Sequence, residues 1–180
     1  MEISQLIEAC KKNNRNAQKE LYEQFAPKMM GVCLRYSGDK EVARDLLHDG
    51  FIIAYTQISS FKSKGSFEGW LRRIFVNLAL QNYRNEKKYN LLFVDVEGTQ
   101  YDVSGKSEES IEELTGISQK DLLKMISELP EGYRTIFNLY VFEDMAHKEI
   151  SQLLGISEAS SRSQYSRARA LLKKKIKELL

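Results

Sequence analysis

Apolar residues recur at helical spacing along most of this chain, and this periodicity limits the folds it can adopt. Near the N-terminus, Ile3, Leu6, Ile7 and Cys10 fall on one side of a helix. Only two prolines and ten glycines occur in 180 residues, so long helices can form. No alternation typical of strands and no internal repeat is visible. The sequence therefore predicts an all-α fold.

Turn and cap residues divide the first half of the chain into helices. A second apolar stripe covers residues 21–36, and Pro27 within it is expected to kink or break the helix. Gly38 and Asp39 form a stop-and-start signal, because glycine ends helices and aspartate caps them. A long apolar helix follows. Ser66 is then expected to cap another helix over residues 67 to about 88.

The pattern changes after residue 88 and becomes helical again near residue 118. Residues 95–110 are rich in glycine and serine and have no sustained periodicity, which is typical of a linker. The short apolar segment 91–94 is either an extended piece or an anchor onto the first domain. Ser118 resembles a helix cap, and further helices are predicted over residues 133–142, 146–154 and 158–180. We predict two small helical domains, at 1–88 and 118–180, joined by an acidic linker at 89–117.

The charges follow the same division. The formal net charge of +2 comprises about +5 in residues 1–88, −6 in residues 89–117 and +3 in residues 118–180. Two basic blocks separated by an acidic segment indicate a polyanionic partner that is held at two places. A solvated mixed-charge surface is the alternative explanation.

Several protein classes are disfavoured by composition. The longest stretch without a charged residue, residues 50–61, is well short of the roughly 20 residues that a membrane span needs. The N-terminus lacks the basic start and apolar run of a signal peptide. Cys10 and Cys33 fit neither a metal-binding spacing nor a disulfide framework. We therefore expect a soluble, cytoplasmic protein without a metal or cofactor and without membrane insertion.

The strongest local pattern is a predicted helix-turn-helix near the C-terminus. A short helix is followed by a turn at residues 155–157 and then by a longer helix, the arrangement that places a helix in the DNA major groove. On the longer helix, Tyr165, Ala168, Leu172, Ile176 and Leu179 are predicted to form the core face. The opposite side and its flanks carry hydroxyl and basic side chains suited to a duplex, with further basic residues for phosphates: Ser160, Arg162, Ser163, Ser166, Arg167, Lys148, Lys173, Lys174, Lys175 and Lys177.

The first domain carries aromatic residues interleaved with cations. Single-stranded nucleic acid binds such surfaces, because aromatic rings stack on bases and cations hold the backbone. Phe61 and Phe67, beside a loop containing Lys64, are predicted to make such contacts. Trp70 and Phe75 are expected to belong to the core instead.

These motifs together resemble the extracytoplasmic-function (ECF) sigma factors of bacterial RNA polymerase. The segments DLLHDGF (residues 45–51) and SFEGWLRRIFVN (residues 66–77) look like sigma region 2. LPEGYR (residues 129–134), EISQLLGIS (residues 149–157) and SRAR (residues 166–169) resemble sigma region 4. The resemblance covers nearly the whole chain, in the expected order.

The resemblance implies a transcription initiation factor that binds core RNA polymerase and recognises promoter DNA. It implies docking on the β′ coiled coil, with the β flap as a second polymerase contact and an anti-sigma factor as a further candidate partner. Three sets of residues follow from it: Asp45, Leu46, Asp49, Phe51 and Ile52 for docking; Phe61, Lys64, Phe67, Arg73, Asn77, Gln81 and Arg84 for the single-stranded −10 element; Lys148, Ser160, Arg162, Ser163, Ser166 and Arg167 for the duplex −35 element.

Three positions depart from the family pattern, one of them the conservative replacement of the usual alanine by Ser151. The family usually has an acidic residue where Gln81 stands, so the −10 base preference does not transfer to this chain. Ser161 occupies a position that is usually apolar, so we expect the recognition helix to be less firmly packed.

The sequence supports three other functions less well. An enzyme is disfavoured, because His48 and His147 lie in different predicted domains without metal-ligand partners and no phosphate-binding loop is present. A dimeric regulator would read paired half-sites on DNA by itself, but no heptad seam for dimerisation is visible. A protein-interaction module would not need the basic face of the last helix.

Overall fold

The computed structural model describes residues 2–62, 65–93 and 117–179, and the side chains of residues 87–93 lie outside that description. Within these residues the secondary structure is helical, with no strand. The all-α prediction is confirmed. The helices are α1 (Ile3–Lys11), α2 (Arg15–Ser37), α3 (Lys40–Gln57), a 3-10 turn (Ile58–Ser60), α4 (Phe67–Phe93), α5 (Gln119–Ser127), α6 (Glu131–Val141), α7 (His147–Leu154) and α8 (Glu158–Leu179).

The helices belong to two compact units. The first, Met1–Asn82, contains α1, α2, α3 and the first part of α4. The second, Tyr83–Leu180, contains the end of α4 and helices α5 to α8. The boundary between the units therefore lies within α4, somewhat before residue 88. Most of the predicted linker, residues 94–116, lies outside the described residues.

Local side-chain chemistry sets several helix ends where the sequence predicted them. Gly38 adopts a left-handed conformation (φ 70°) at the end of α2. The Asp39 carboxylate accepts hydrogen bonds from the backbone N–H groups of Glu41 (2.8 Å) and Val42 (2.9 Å), which caps α3. Ser118 caps α5 by accepting from the Asp121 N–H at 3.1 Å.

The structure corrects three sequence predictions: a break of α2 at Pro27, an extended form for residues 91–93 and a core position for Leu179. Helix α2 continues through Pro27 without a break, since its buried residues on both sides of the proline, Phe25 and Met29, hold it in the core. Residues 91–93 form the last turn of α4 instead of an extended segment. Leu179, predicted on the core face of α8, is 53% exposed because it is the last residue of that helix.

Aromatic side chains form much of the core of the first unit. The Phe67 ring lies 5.4 Å from Phe25 and 5.3 Å from Phe61, between ring centroids, and Trp70 packs against the same group. Phe75 packs edge-on against Phe51 at 5.4 Å. These contacts join α2, α3 and α4 into one packed unit.

The second unit has a separate core in which α8 packs on α5 and α6. Its buried centre consists of Met125, Ile126, Leu129, Ala168 and Leu172. Arg134 ties α6 to the end of α5, because its guanidinium donates to the carbonyls of Ser127 (3.0 Å) and Leu129 (2.8 Å). Charged donors of this kind satisfy the carbonyls that a helix C-terminus leaves without intrahelical partners. Helices α5 and α6, on which α8 packs, are therefore joined by hydrogen bonds as well as by apolar contacts.

Among the described helices, none has the length and apolar character needed to span a membrane.

Candidate functional site

The second unit contains a helix-turn-helix formed by α7 and α8. Its turn is built at Gly155, which adopts a left-handed conformation (φ 67°) that other residues rarely tolerate. Ile150 of α7 is fully buried beneath the turn. The Ser157 hydroxyl accepts from the Ser160 N–H at 3.0 Å and so begins α8. The predicted turn therefore forms from local backbone chemistry.

Helix α8 has one face in the core and another in solvent. Ala168 and Leu172 are buried, as the helical spacing predicted. Arg162, Ser163 and Ser166 are exposed. Ser160 and Arg167 are half-buried, and Lys148 of α7 is exposed. The structure thus leaves accessible all or part of each side chain that the sequence assigned to the −35 element.

Neighbouring side chains hold several of these residues. Glu158 forms an ion pair with Arg162, and this hydrogen bond lowers the pKa of the Glu158 carboxyl below its usual range. Gln164 donates to the Ser160 hydroxyl at 3.0 Å. The Arg167 guanidinium lies 3.4 Å from the Tyr133 hydroxyl of α6. The face is therefore partly preorganised.

Sequence reasoning missed these supporting residues. The i, i+4 spacing of Glu158 with Arg162, and of Ser160 with Gln164, is a signal that could have identified two of them. Tyr133 lies 34 positions from Arg167, and no spacing rule relates residues so far apart.

Helix α3 presents an acidic and apolar surface. Asp45 and Asp49 are exposed one turn apart, and Ile52 is 51% exposed beside them. The structure corrects the role of Leu46 and Phe51, which are only 7% and 3% exposed because they pack into the first core. They support this face from inside and cannot touch a partner in this conformation.

Tyr22 of α2 packs on Phe51 of α3, is itself exposed, and was not identified from the sequence. Its ring lies 4.7 Å from Phe51 and its side chain is 40% exposed. Tyr22 and Phe51 are 29 positions apart and on different helices, so helical periodicity gives no signal for their contact. We use the name docking surface for the candidate set Tyr22, Asp45, Asp49 and Ile52, whose side chains are all exposed.

Polar residues on α4 form a second candidate surface in the first unit. Arg73, Asn77 and Gln81 are exposed and follow one another at intervals of four residues, which places them on one side of the helix. The two phenylalanines expected to stack on bases, Phe61 and Phe67, are each only 6% exposed, because they fill the aromatic core. The prediction that they form an open stacking surface is therefore wrong for this conformation.

The remaining residues assigned to −10 DNA lie elsewhere. Arg84 belongs to the second unit, where its guanidinium donates to the backbone carbonyl of Leu153. Lys64 lies outside the described residues.

Among the described residues, no group of three or more histidine, cysteine, aspartate or glutamate side chains could hold an ion. His48 is exposed on α3. Cys10 and Cys33 are buried free thiols, and burial raises the pKa of Cys33 to about 12.

Comparison with known families places matches on both units. The family described as "Sigma-70 region 2" matches residues 21–89. The family described as "Sigma-70, region 4" matches residues 119–172. Together these two matches include the candidate surfaces on α3 and α4, and helix α8 as far as Leu172.

Curated relatives resemble the chain over most of its length. The ECF RNA polymerase sigma factor SigM of Bacillus subtilis is 30% identical over 154 residues, which cover 86% of this chain and 91% of the relative. SigW, an ECF RNA polymerase sigma factor of the same organism, is 29% identical over 189 residues and covers 99% of both chains.

A solved structure has a similar fold. The sigma factor RpoE of Bartonella quintana, determined in complex with the anti-sigma factor NepR, aligns with a TM-score of 0.50 and 19% identity. The alignment covers 88% of this chain and 96% of that one.

Proposed function

This chain belongs to the extracytoplasmic-function RNA polymerase sigma factors, and we propose that it recruits core RNA polymerase to promoters through three surfaces of its own. It is a promoter-recognising transcription initiation factor and not an enzyme. The surfaces proposed here are the exposed face of α8, the polar face of α4 and the docking surface on α2 and α3.

The observation that carries the proposal is the exposed face of α8. A helix that follows a tight turn and projects arginine and serine side chains away from its core can enter the major groove of a duplex. Arg162 can donate two hydrogen bonds to a guanine edge, and Ser163 and Ser166 are short enough to allow close approach. Lys148 supplies a cation for a phosphate. We assign this face to the −35 element.

The polar face of α4 is proposed to hold the −10 element. Asn77 and Gln81 carry amides that can donate to and accept from unpaired base edges, and Arg73 can hold the backbone between them. Phe61 and Phe67 would contribute base stacking only if the aromatic core opened. We therefore place the first contacts to single-stranded DNA on Arg73, Asn77 and Gln81.

The docking surface suits a basic partner helix. Asp45 and Asp49 supply two carboxylates one turn apart, and Ile52 and Tyr22 supply apolar area beside them. Interfaces of this kind combine an apolar centre with charges that orient the partner. We propose that it binds the β′ coiled coil of core polymerase, with the β flap as a second contact of the chain.

The cellular setting follows from these partners. Core polymerase acts in the bacterial cytoplasm, so we place the chain there. An anti-sigma protein is proposed as a further partner, in line with the complex known for the structurally similar RpoE.

The docking proposal can be tested by pull-down of bacterial core RNA polymerase with the full-length protein. We expect saturable binding that is lost in the double variant Asp45→Lys/Asp49→Lys. The double variant Glu8→Lys/Glu23→Lys is the matched control, because it changes the net charge equally at two exposed carboxylates on α1 and α2. Equal loss in both variants would argue for a general charge effect. Tight duplex binding by the protein alone, with no polymerase binding, would favour the dimeric regulator.

A further inference from the structure

A buried polar contact lies inside the helix-turn-helix. Ser161 of α8 is fully buried, at 0% exposure, on the core side of the recognition helix. Its hydroxyl oxygen lies 2.9 Å from Nδ1 of His147, the first residue of α7. A buried hydroxyl without a partner is costly, so this contact satisfies a group that the core would otherwise disfavour.

Aromatic rings fix the histidine in place. The His147 ring stacks on Tyr140 of α6, with centroids 4.5 Å apart and planes inclined by 15°. Tyr165 of α8 lies 4.4 Å from Tyr140 and 5.6 Å from His147, between ring centroids. The imidazole is therefore held between α6 and α8, and its nitrogen is directed at Ser161.

This contact differs in kind from the apolar contacts around it. Apolar packing is non-directional, whereas a hydrogen bond weakens steeply when its distance or angle changes. Ser161 lies between Ser160 and Arg162 in the chain, so a small rotation of α8 about its axis moves all three together. The bond consequently restricts the rotation at which Arg162 is presented.

We propose that His147 and Ser161 form a positioning pair, whose hydrogen bond sets the rotation of α8 and thereby the base preference of the −35 contacts. This inference rests on the proposed assignment of α8 to the −35 element. In that assignment, neither His147 nor Ser161 contacts DNA. His147 and Ser161 act through Arg162 and Ser160.

The charge state of the histidine adds a second readout. Burial and the nearby Arg162 guanidinium lower the pKa of His147, while the Glu158 carboxylate opposes them. Tyr140 and Tyr165 are the other titratable groups packed on the ring, and Lys148 is its neighbour on α7. The lowered pKa favours the neutral imidazole. Protonation at lower pH would place a second positive charge beside Arg162 and disturb the pair.

The test measures base preference separately from overall affinity. Holoenzyme is reconstituted from the full-length chain and bacterial core RNA polymerase, and selects from a duplex library randomised over the −35 positions. The variants are Ser161→Ala, His147→Phe, which keeps a stacking ring, and His147→Asn, whose amide can replace Nδ1. Ser151→Ala is the matched control, since the Ser151 hydroxyl donates to the carbonyl of Lys148 within α7.

We expect Ser161→Ala and His147→Phe to reduce the ratio of preferred to disfavoured −35 sequences by about tenfold. This is the size of effect that the loss of one orienting hydrogen bond can have. His147→Asn should restore the ratio, and Ser151→Ala should leave it unchanged. For the wild type, the ratio of preferred to disfavoured −35 sequences should fall as the pH is lowered and the His147 imidazole becomes protonated. For His147→Phe, the ratio should not change with pH.

Three outcomes distinguish failure of the inference from failure of the proposed function. If wild-type holoenzyme selects −35 sequences and the folded variants select the same ones with an unchanged ratio, the positioning role is overturned. The same holds if the all-apolar double variant His147→Phe/Ser161→Val restores the wild-type ratio. If wild-type holoenzyme selects no sequence at all, the assignment of α8 to the −35 element fails.

Discussion

Gly50 shows how closely the helices of the first unit approach each other at a single residue. A Cβ atom at this position would lie 2.1 Å from Cε1 of Phe75, far inside the sum of van der Waals radii. Phe75 is 1% exposed and packs against Phe51, so its ring has no space to move aside. The glycine is therefore required for the contact between α3 and α4.

Gly50→Ala is expected to destabilise the protein by about 1–3 kcal/mol, the usual cost of overpacking a well-filled core. The matched control is Gly31→Ala in the middle of α2, where a Cβ would meet nothing within 4 Å. This control should stabilise the protein by about 0.5–1 kcal/mol, because alanine favours the helix. Urea unfolding of both variants measures the difference. An unchanged midpoint for Gly50→Ala would mean that Phe75 repacks freely.

At the scale of the element, local chemistry was predictable and long-range packing was not. The starts of α3 at Asp39 and of α5 at Ser118 depend on residues within three positions, so the sequence identified them. The burial of Phe61 and Phe67 depends partly on Phe25, which lies on another helix. Helical spacing does not reveal which distant residues meet. For this reason the sequence assigned these rings to DNA while the structure places them in the core.

The same distinction applies to α8. Its exposed face was predictable from a 100° rotation per residue, as Ala168 and Leu172 show. The contacts from Tyr133 and His147 were not, because they depend on how α6 and α7 pack on it.

The ion pair at the start of α8 makes a prediction about that helix. Glu158 places a negative charge among the proposed DNA contacts and neutralises Arg162 in the free protein. Glu158→Gln should strengthen holoenzyme binding to promoter DNA a few-fold at low salt, since repulsion of phosphates is removed, and the gain should shrink as salt is added. Filter binding over a salt series measures this.

Glu178→Gln is the matched control for that experiment. It removes the same charge from the other end of α8, where Glu178 lies 3.9 Å from Lys174 with the same i, i+4 spacing. Equal gains from both variants would show that net charge, and not the position of Glu158, determines affinity.

At the scale of the whole molecule, the proposed function assigns each of the two units its own contact with the same promoter DNA. The proposed −10 residue Asn77 belongs to the first unit and the proposed −35 residue Arg162 to the second. Arg162 has its own partner, Glu158, within the second unit. Substitutions at independent sites change free energies additively. The fold losses in promoter affinity caused by substituting Asn77 and Arg162 should therefore multiply in the double variant.

We expect Asn77→Ala and Arg162→Ala each to weaken promoter binding by holoenzyme about tenfold, as the loss of a base contact does, and the double variant to weaken it about a hundredfold. Templates truncated to remove the −35 duplex provide the internal control. On them Arg162→Ala should bind as wild type does, while Asn77→Ala should remain weaker. A loss from Arg162→Ala that persists on the truncated template would mean that this residue acts through folding or polymerase binding, because the duplex that it should read is no longer present.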